Sequence, residues 1–151
     1  MNISDLLAPD AVFGSLKVQS KKQLLQELAA RAAVLTRLPE RRILETLVER
    51  ERLGTTGVGQ GIAIPHGRLA DIKKIAGLFA RLETPIDYDA VDNQPVDLVF
   101  LLLLPTSEPA EQLSTLATVA RRLREPPTVR ELRRAVDNAS LYGAFVRFSK
   151  T

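Results

Sequence analysis

The sequence predicts an α/β fold, a single-domain sandwich in which a mixed β-sheet is flanked by helices, spanning 1–151. Three observations predict it. Segments with apolar residues at helical spacing alternate with short runs of strand character. One run, Val96–Leu104, is almost continuously apolar, as a central strand covered on both faces must be. No linker-like shift in composition divides the chain, and 151 residues with 45% hydrophobic content suit one core.

The elements follow in order. Ile3, Leu6 and Leu7 fit a short helical turn ended by Pro9. Ser20 with Gln23 forms a capping-box pattern, and Leu24, Leu25, Leu28, Ala29 and Ala32 recur behind it at helical spacing. Pro39 suits the first turn of a second helix, whose apolar face is Ile43, Leu44, Leu47 and Val48. Gly54 stands where a left-handed C-terminal cap is expected, which puts Arg50 near the end of that helix. Gly54, Gly57, Gly59 and Gly61 make the next segment a loop. It leads into a short strand, Ile62-Ala63-Ile64, ended by Pro65-His66-Gly67.

Ile75–Leu82 reads as a strand, and Asp92-Asn93 with Pro95 as a turn before Val96–Leu104. Pro109 then opens a helix expected to turn Leu113, Leu116, Ala117, Ala120 and Leu123 inward. Thr128 with Glu131 is a second capping box, for a short helix reaching about Val136. Asn138 is expected to cap a last helix in which Leu141, Tyr142, Phe145 and Val146 share a face.

Composition removes several function classes. There is no cysteine, so no disulfide framework, thiolate nucleophile or Cys-based zinc site. With one histidine a His-rich metal site is unsupported too, and neither metal nor cofactor is expected. No G-x-S-x-G elbow and no P-loop is present. Gly57-Val58-Gly59-Gln60-Gly61 departs from a dinucleotide loop, because its third glycine comes one residue early and a strand follows. The longest apolar run, Leu98–Leu104, falls far short of the roughly 20 residues a membrane helix needs. Residues 1–16 lack the pattern of a signal peptide, so a cytoplasmic protein without membrane insertion is expected. Arg121, Arg122, Arg124, Arg130, Arg133 and Arg134 read as the solvated faces of two helices. No aromatics interleave for base stacking, so nucleic acid is not expected as a partner.

What remains is His66, the single histidine. A neutral imidazole is a nucleophile near pH 7, its reference pKa being about 6.5. Glycines nearby let backbone N–H groups approach an anion, and Thr55 and Thr56 add hydroxyl donors. Arg50 supplies a planar guanidinium able to hold two phosphate oxygens. A nucleophile, a cation and a donor-rich loop are what a phosphohistidine site requires, since a phosphoryl group brings about −1.5 to −2 of charge. A plain helix-to-strand connection, with Arg50 in a surface ion pair to Glu45, Glu49 or Glu51, is the bland alternative.

The stretch Arg50-Glu51-Arg52-Leu53-Gly54-Thr55-Thr56-Gly57-Val58-Gly59-Gln60-Gly61-Ile62-Ala63-Ile64-Pro65-His66-Gly67 closely resembles the active-site signature of phosphotransferase-system EIIA domains of the fructose/mannitol type. Leu82–Asp87, Asp92–Phe100 and the opening Ile3–Leu7 also resemble that family, most of all its free-standing nitrogen-regulatory branch. The resemblance implies that His66 is phosphorylated on Nε2. It implies that Arg50, 16 positions earlier, holds the phosphoryl oxygens, and that Thr56 faces the phosphate. Thr55, Gly57, Gly59 and Gly61 complete the expected cradle. Many relatives carry a second histidine where this chain has Gln112, which is expected to offer a hydrogen bond but no charge.

The resemblance thus implies a phosphocarrier charged by a phosphorylated HPr-like protein. It would act as a regulatory switch in nitrogen or potassium metabolism, with transporter or sensor-kinase components as downstream targets. Two alternatives stand beside it: a sugar-specific EIIA transport component, and a non-catalytic regulatory binding module, which the Gln112 change favours.

Overall fold

The computed structural model describes residues 3–107 and 109–147; residues 1, 2, 108 and 148–151 of the expected domain lie outside the described residues. Two short 3-10 turns, Ile3–Asp5 and Pro9–Ala11, lead into strand β1 (Val12–Leu16). Helices α1 (Lys21–Thr36) and α2 (Glu40–Arg52) come next. Three short strands follow, β2 (Gly57–Gly59), β3 (Ile62–Ala63) and β4 (His66–Arg68), and then two long ones, β5 (Ala76–Ile86) and β6 (Val96–Leu104). Helices α3 (Pro109–Arg122), α4 (Pro126–Arg134) and α5 (Asn138–Arg147) close the chain.

The sheet runs β1-β5-β6-β3-β2, with β4 also paired to β6. It is mixed: β5 and β6 are antiparallel, while β1 on β5 and both β3 and β4 on β6 are parallel. The unbroken apolar run of β6 has its physical reason here. Leu98, Phe100, Leu102 and Leu104 share a core with Val119, Leu123, Leu132, Leu141 and Phe145 from the three C-terminal helices. Val99, Leu101 and Leu103 share the other core with Leu24, Leu28, Ile43 and Leu47 of α1 and α2. Each fully buried Leu or Phe contributes roughly 1.5–3 kcal/mol, so the strand's strict alternation welds both helical layers to one sheet. Phe79, Phe100 and Phe145 meet at ring-centroid separations of 4.8–6.3 Å, within the range of favourable aromatic packing.

Several local expectations need correction. The residues after Pro9 contain a strand, β1, whose alternation is weakened in the sequence by Gly14 and Ser15. The glycine segment is not all loop: β2 folds back on β3 as a hairpin. His66 does not merely end a strand but begins β4, beside Leu102. On α3 the buried positions are Gln112, Thr115, Val119 and Arg122, while Leu113 and Ala117 face outward. Arg122 is therefore no solvated residue; it is buried and paired with Glu125 at 3.3 Å. Helix α4 starts at Pro126, two residues before the expected cap, since proline is suited to the first helical turn. Asn138 does not cap its own helix: its Oδ1 accepts from Gly14 N–H at 2.7 Å, and Asp137 caps Ser140 instead. Ser20 does cap α1, accepting from Gln23 N–H at 3.1 Å.

Candidate functional site

The site grows from two pieces of local structure. The last turn of α2 carries Arg50, and parallel pairing holds β4 against the end of β6, with His66 opposite Leu102. Gly67 must be glycine for this approach, because a Cβ there would collide with Thr46 of α2. The period of two along a strand then sends His66 and Arg68 to the same side. Both line an open cleft of about 470 Å³, walled by Thr46, Glu49, Arg50 and Leu53 of the α2 end and by Pro109, Gln112, Leu113 and Leu116 of α3.

The hydrogen bonds around His66 fix its chemistry. Nδ1 lies 2.9 Å from the carbonyl oxygen of Ile64. A carbonyl only accepts, so the proton sits on Nδ1 and Nε2 keeps a bare lone pair. Arg50 agrees, since its Nε–H donates to that Nε2 at 3.1 Å, and its Nη1 donates to the Gly54 carbonyl at 2.9 Å. Burial holds the histidine's pKa below its ordinary value; Arg50 and Arg68 act in the same direction, against the Ile64 bond and Glu51. The arrangement therefore presents a neutral imidazole with one unprotonated nitrogen, held by the Arg50 guanidinium, and with Arg68 as a second positive charge on the cleft.

Behind Arg50 stands a denser network. The side chain of Glu51 is 7% exposed, and Lys21 Nζ lies 2.9 Å from its Oε2. It accepts from Tyr88 OH at 2.9 Å, from Thr56 N–H at 3.2 Å, and from the Thr56 hydroxyl. Burial opposes the charge on Glu51, but donation from Thr56, Lys21 and Tyr88 outweighs it and holds the carboxyl below its usual pKa. The same burial, with the Glu51 charge, pushes the Tyr88 phenol up.

Of the expected site residues, the structure brings His66, Arg50 and Gln112 to one cleft and the others elsewhere. Thr56 is buried, and its hydroxyl is spent on Glu51 rather than on the cleft. Thr55 accepts from Gly57 N–H at 3.1 Å, closing a local turn. Gly57 packs on Tyr88 and Ala90, Gly59 lies beside Asp92, and Gly61 lies beside Asp97 and Arg133. These glycines shape the β2–β3 hairpin, where Gly59 and Gly61 hold φ of +103° and +83°, a region that favours glycine. These contacts tie the glycines to the hairpin, and the cradle expected of them stays a proposal. Gln112, on the cleft wall, donates its amide N–H to the carbonyls of Pro105 and Ser107 and so braces the β6–α3 connection. Arg68, Glu51 and Tyr88 were not singled out in the sequence. For Arg68 the signal was present, two residues beyond His66 on a strand. For Tyr88 there was none, since its partners lie more than thirty residues away.

A mixed α/β fold with a neutral histidine, held between a backbone carbonyl and an arginine at the mouth of a cleft, defines a class of histidine-centred site. Residues 5–147 match the family model described as "Phosphoenolpyruvate-dependent sugar phosphotransferase system, EIIA 2", and the chain belongs to that family. It is 55% identical over 142 residues to a nitrogen regulatory protein of Bradyrhizobium diazoefficiens, covering 94% of this chain and 93% of that one. It is 42% identical over 143 residues to a nitrogen regulatory protein of Escherichia coli K12, covering 94% and 88%. Among solved structures, the nitrogen regulatory protein IIA-Ntr of Neisseria meningitidis superimposes with a TM-score of 0.89 at 33% identity, covering 95% of this chain and 98% of that one. Members of this family are phosphotransferase components. No helix among the described residues is long and apolar enough to cross a membrane.

Proposed function

We propose that the protein is a phosphocarrier that accepts a phosphoryl group on Nε2 of His66 from a phosphorylated HPr-like protein and works as a regulatory switch. The observation that carries this reading is the fixed tautomer: Nδ1–H is committed to Ile64, so Nε2 carries no proton and its lone pair is held only by the Arg50 Nε–H, in a residue that lines the cleft. In the transfer, the Nε2–P bond forms as the donor's P–N bond breaks. Nε2 has no proton to lose. Arg50 gives up its bond to Nε2 and turns its donors to the phosphoryl oxygens, while Arg68 adds a second positive charge. Such transfer rests on positioning and charge stabilisation.

Leu53 and Leu113, 84% and 71% exposed, stand on opposite walls of the cleft and give a partner apolar surface to dock on. The nitrogen-regulatory names of the relatives support the regulatory role; a cytoplasmic setting and transporter or sensor-kinase components as downstream targets belong to the same proposal. The test is incubation with phosphoenolpyruvate, enzyme I and an HPr-type carrier, followed by intact mass spectrometry. An acid-labile gain of one phosphoryl group is expected; no gain with any competent carrier would favour a non-catalytic binding module.

Two further results are expected. Because burial depresses the pKa of His66, its titration followed by NMR should have a midpoint below the ordinary value of about 6.5. The rate of phosphoryl uptake should stay flat on acidification to near that value and fall only below it, as Nε2 gains a proton. The unfolded chain binds the more protons in this window. The stability His66 contributes is therefore present above its unfolded pKa and lost as pH falls through its folded one. A midpoint above 6.5 would contradict the buried neutral imidazole. Gly59→Ala should cost about 1–2 kcal/mol, from the strained φ of +103° and a Cβ 3.2 Å from Asp92 Oδ2. The folded fraction should still take up phosphate at the unaltered rate, as chemical denaturation and phosphorylation run side by side would show. A stable variant that no longer accepted phosphate would support the glycine cradle.

A further inference from the structure

Glu51 contributes no atom to the cleft, yet four donors from three separate segments converge on its buried carboxylate. Lys21 comes from the first turn of α1 and Tyr88 from the β5–β6 connection, while Thr56 supplies both its N–H and its hydroxyl. Lys21 also lies over the Tyr88 ring, 4.4 Å from its centroid. From Thr56 the hydrogen bonds continue toward the histidine. The Thr56 carbonyl accepts Ile64 N–H at 3.0 Å, and the Ile64 carbonyl accepts His66 Nδ1–H at 2.9 Å.

We propose that Glu51 is a positioning residue for phosphoryl transfer: by anchoring Thr56, it places Ile64 so that its carbonyl locks the proton on Nδ1 of His66 and leaves Nε2 free. A carboxylate is needed at 51, not merely a side chain of its size. Both oxygens receive donors; an amide there loses the charge that holds Lys21, and with its oxygen kept on the Thr56 N–H its NH2 meets the Thr56 and Tyr88 hydroxyls, which must turn from donating to accepting. That rearrangement loosens the hold on Thr56, and the Ile64 carbonyl is placed less firmly. Glu51 directly follows Arg50 on α2, so one helix end sets both the guanidinium on Nε2 and, through three successive hydrogen bonds, the tautomer on the ring's far side.

This inference rests on the phosphoryl-acceptor reading, and its test separates the two. The tautomer of His66 is read by 15N chemical shifts in the unaltered protein and in Glu51→Gln, with no carrier present. The unaltered protein should show one Nδ1–H tautomer; Glu51→Gln should show a mixture. Its phosphoryl uptake should slow about tenfold with the KM for the carrier within twofold, since misplacement of a reacting group lowers the chemical step rather than encounter. A purely structural role would lower thermal stability and leave the tautomer and that split unchanged, and this result would overturn the proposal. Should Glu51→Gln fail to fold, the double variant Thr56→Val with Tyr88→Phe removes both hydroxyl donors while keeping side-chain volume. It should shift the tautomer in the same direction, and an unshifted tautomer in it would overturn the proposal equally. If the unaltered protein shows the Nδ1–H tautomer but takes up no phosphate, the acceptor reading fails while the positioning of His66 by Glu51 is still measured.

Discussion

Replacing His66 with alanine is expected to remove all acid-labile phosphate uptake while the protein stays folded. The side chain is half-buried, and among the described residues its hydrogen bonds go to the Ile64 carbonyl and Arg50 Nε. It belongs to neither hydrophobic core. Loss of those two bonds costs about 1 kcal/mol net, because Arg50 keeps its bond to the Gly54 carbonyl and the cleft is open to water. For a chain of this size that is a shift in Tm of roughly 2–4 °C. No other histidine exists to take over, and the chain has no cysteine. Intact mass spectrometry and a thermal melt on the same preparation check both halves of the expectation. Undiminished phosphate on the alanine variant would place the acceptor elsewhere, on a hydroxyl or a carboxylate, and acid stability of the bond would say which.

Much of this was legible in the sequence, for reasons that differ by element. The central strand β6 is readable because an apolar run with both faces covered leaves an unbroken signal. Helix α1 is readable because cap and period agree, and α2 because its apolar residues keep the helical period, although Leu53 ends it in the right-handed region where a left-handed cap at Gly54 is expected. Strand β1 is hidden because Gly14 stands there for packing: a Cβ would meet Asn138 and Leu141 of a helix more than 120 residues away. The outward turn of Leu113 is hidden for a related reason. Helical spacing marks apolar residues, but here one of them lies on the rim of the cleft while Gln112 and Thr115 turn inward. At the site, His66 stands out by chemistry as the single histidine, and its pairing with Arg50 is what the family resemblance implies. The glycines show conformational freedom in the local sequence but not its purpose. Gly59 and Gly61 serve a hairpin locked by Arg133, which donates to the Gln60 carbonyl and pairs with Asp97 at 3.0 Å. The Glu51 network was not legible, since its members are joined only through tertiary contacts.

Arg50→Ala should slow phosphoryl uptake by about 10²–10³-fold, the loss typical when one preorganised donor to developing charge is removed. The argument starts from what Arg50 holds before any phosphate arrives. Its Nε–H occupies the lone pair of His66 Nε2, and Nη1 is moored to the Gly54 carbonyl. The guanidinium is thus parked one hydrogen bond, 3.1 Å, from the nitrogen on which the phosphoryl group must form, and moving to its oxygens needs little reordering of the chain. Arg50→Lys keeps the charge but has only one nitrogen, which cannot bond Nε2 and the Gly54 carbonyl from two fixed positions of a planar fork. It should recover part of the rate, leaving a loss of about tenfold to a hundredfold. Arg68 on the exposed side of β4 supplies general positive potential without that mooring and should not compensate for Arg50. Rapid-quench measurement of phosphoryl uptake under single-turnover conditions distinguishes these cases. Equal rates for the alanine and lysine variants would mean that geometry alone, with no share from charge, accounts for the arginine. An unaltered rate in both would remove Arg50 from the mechanism and leave its bond to His66 as a feature of the resting protein only.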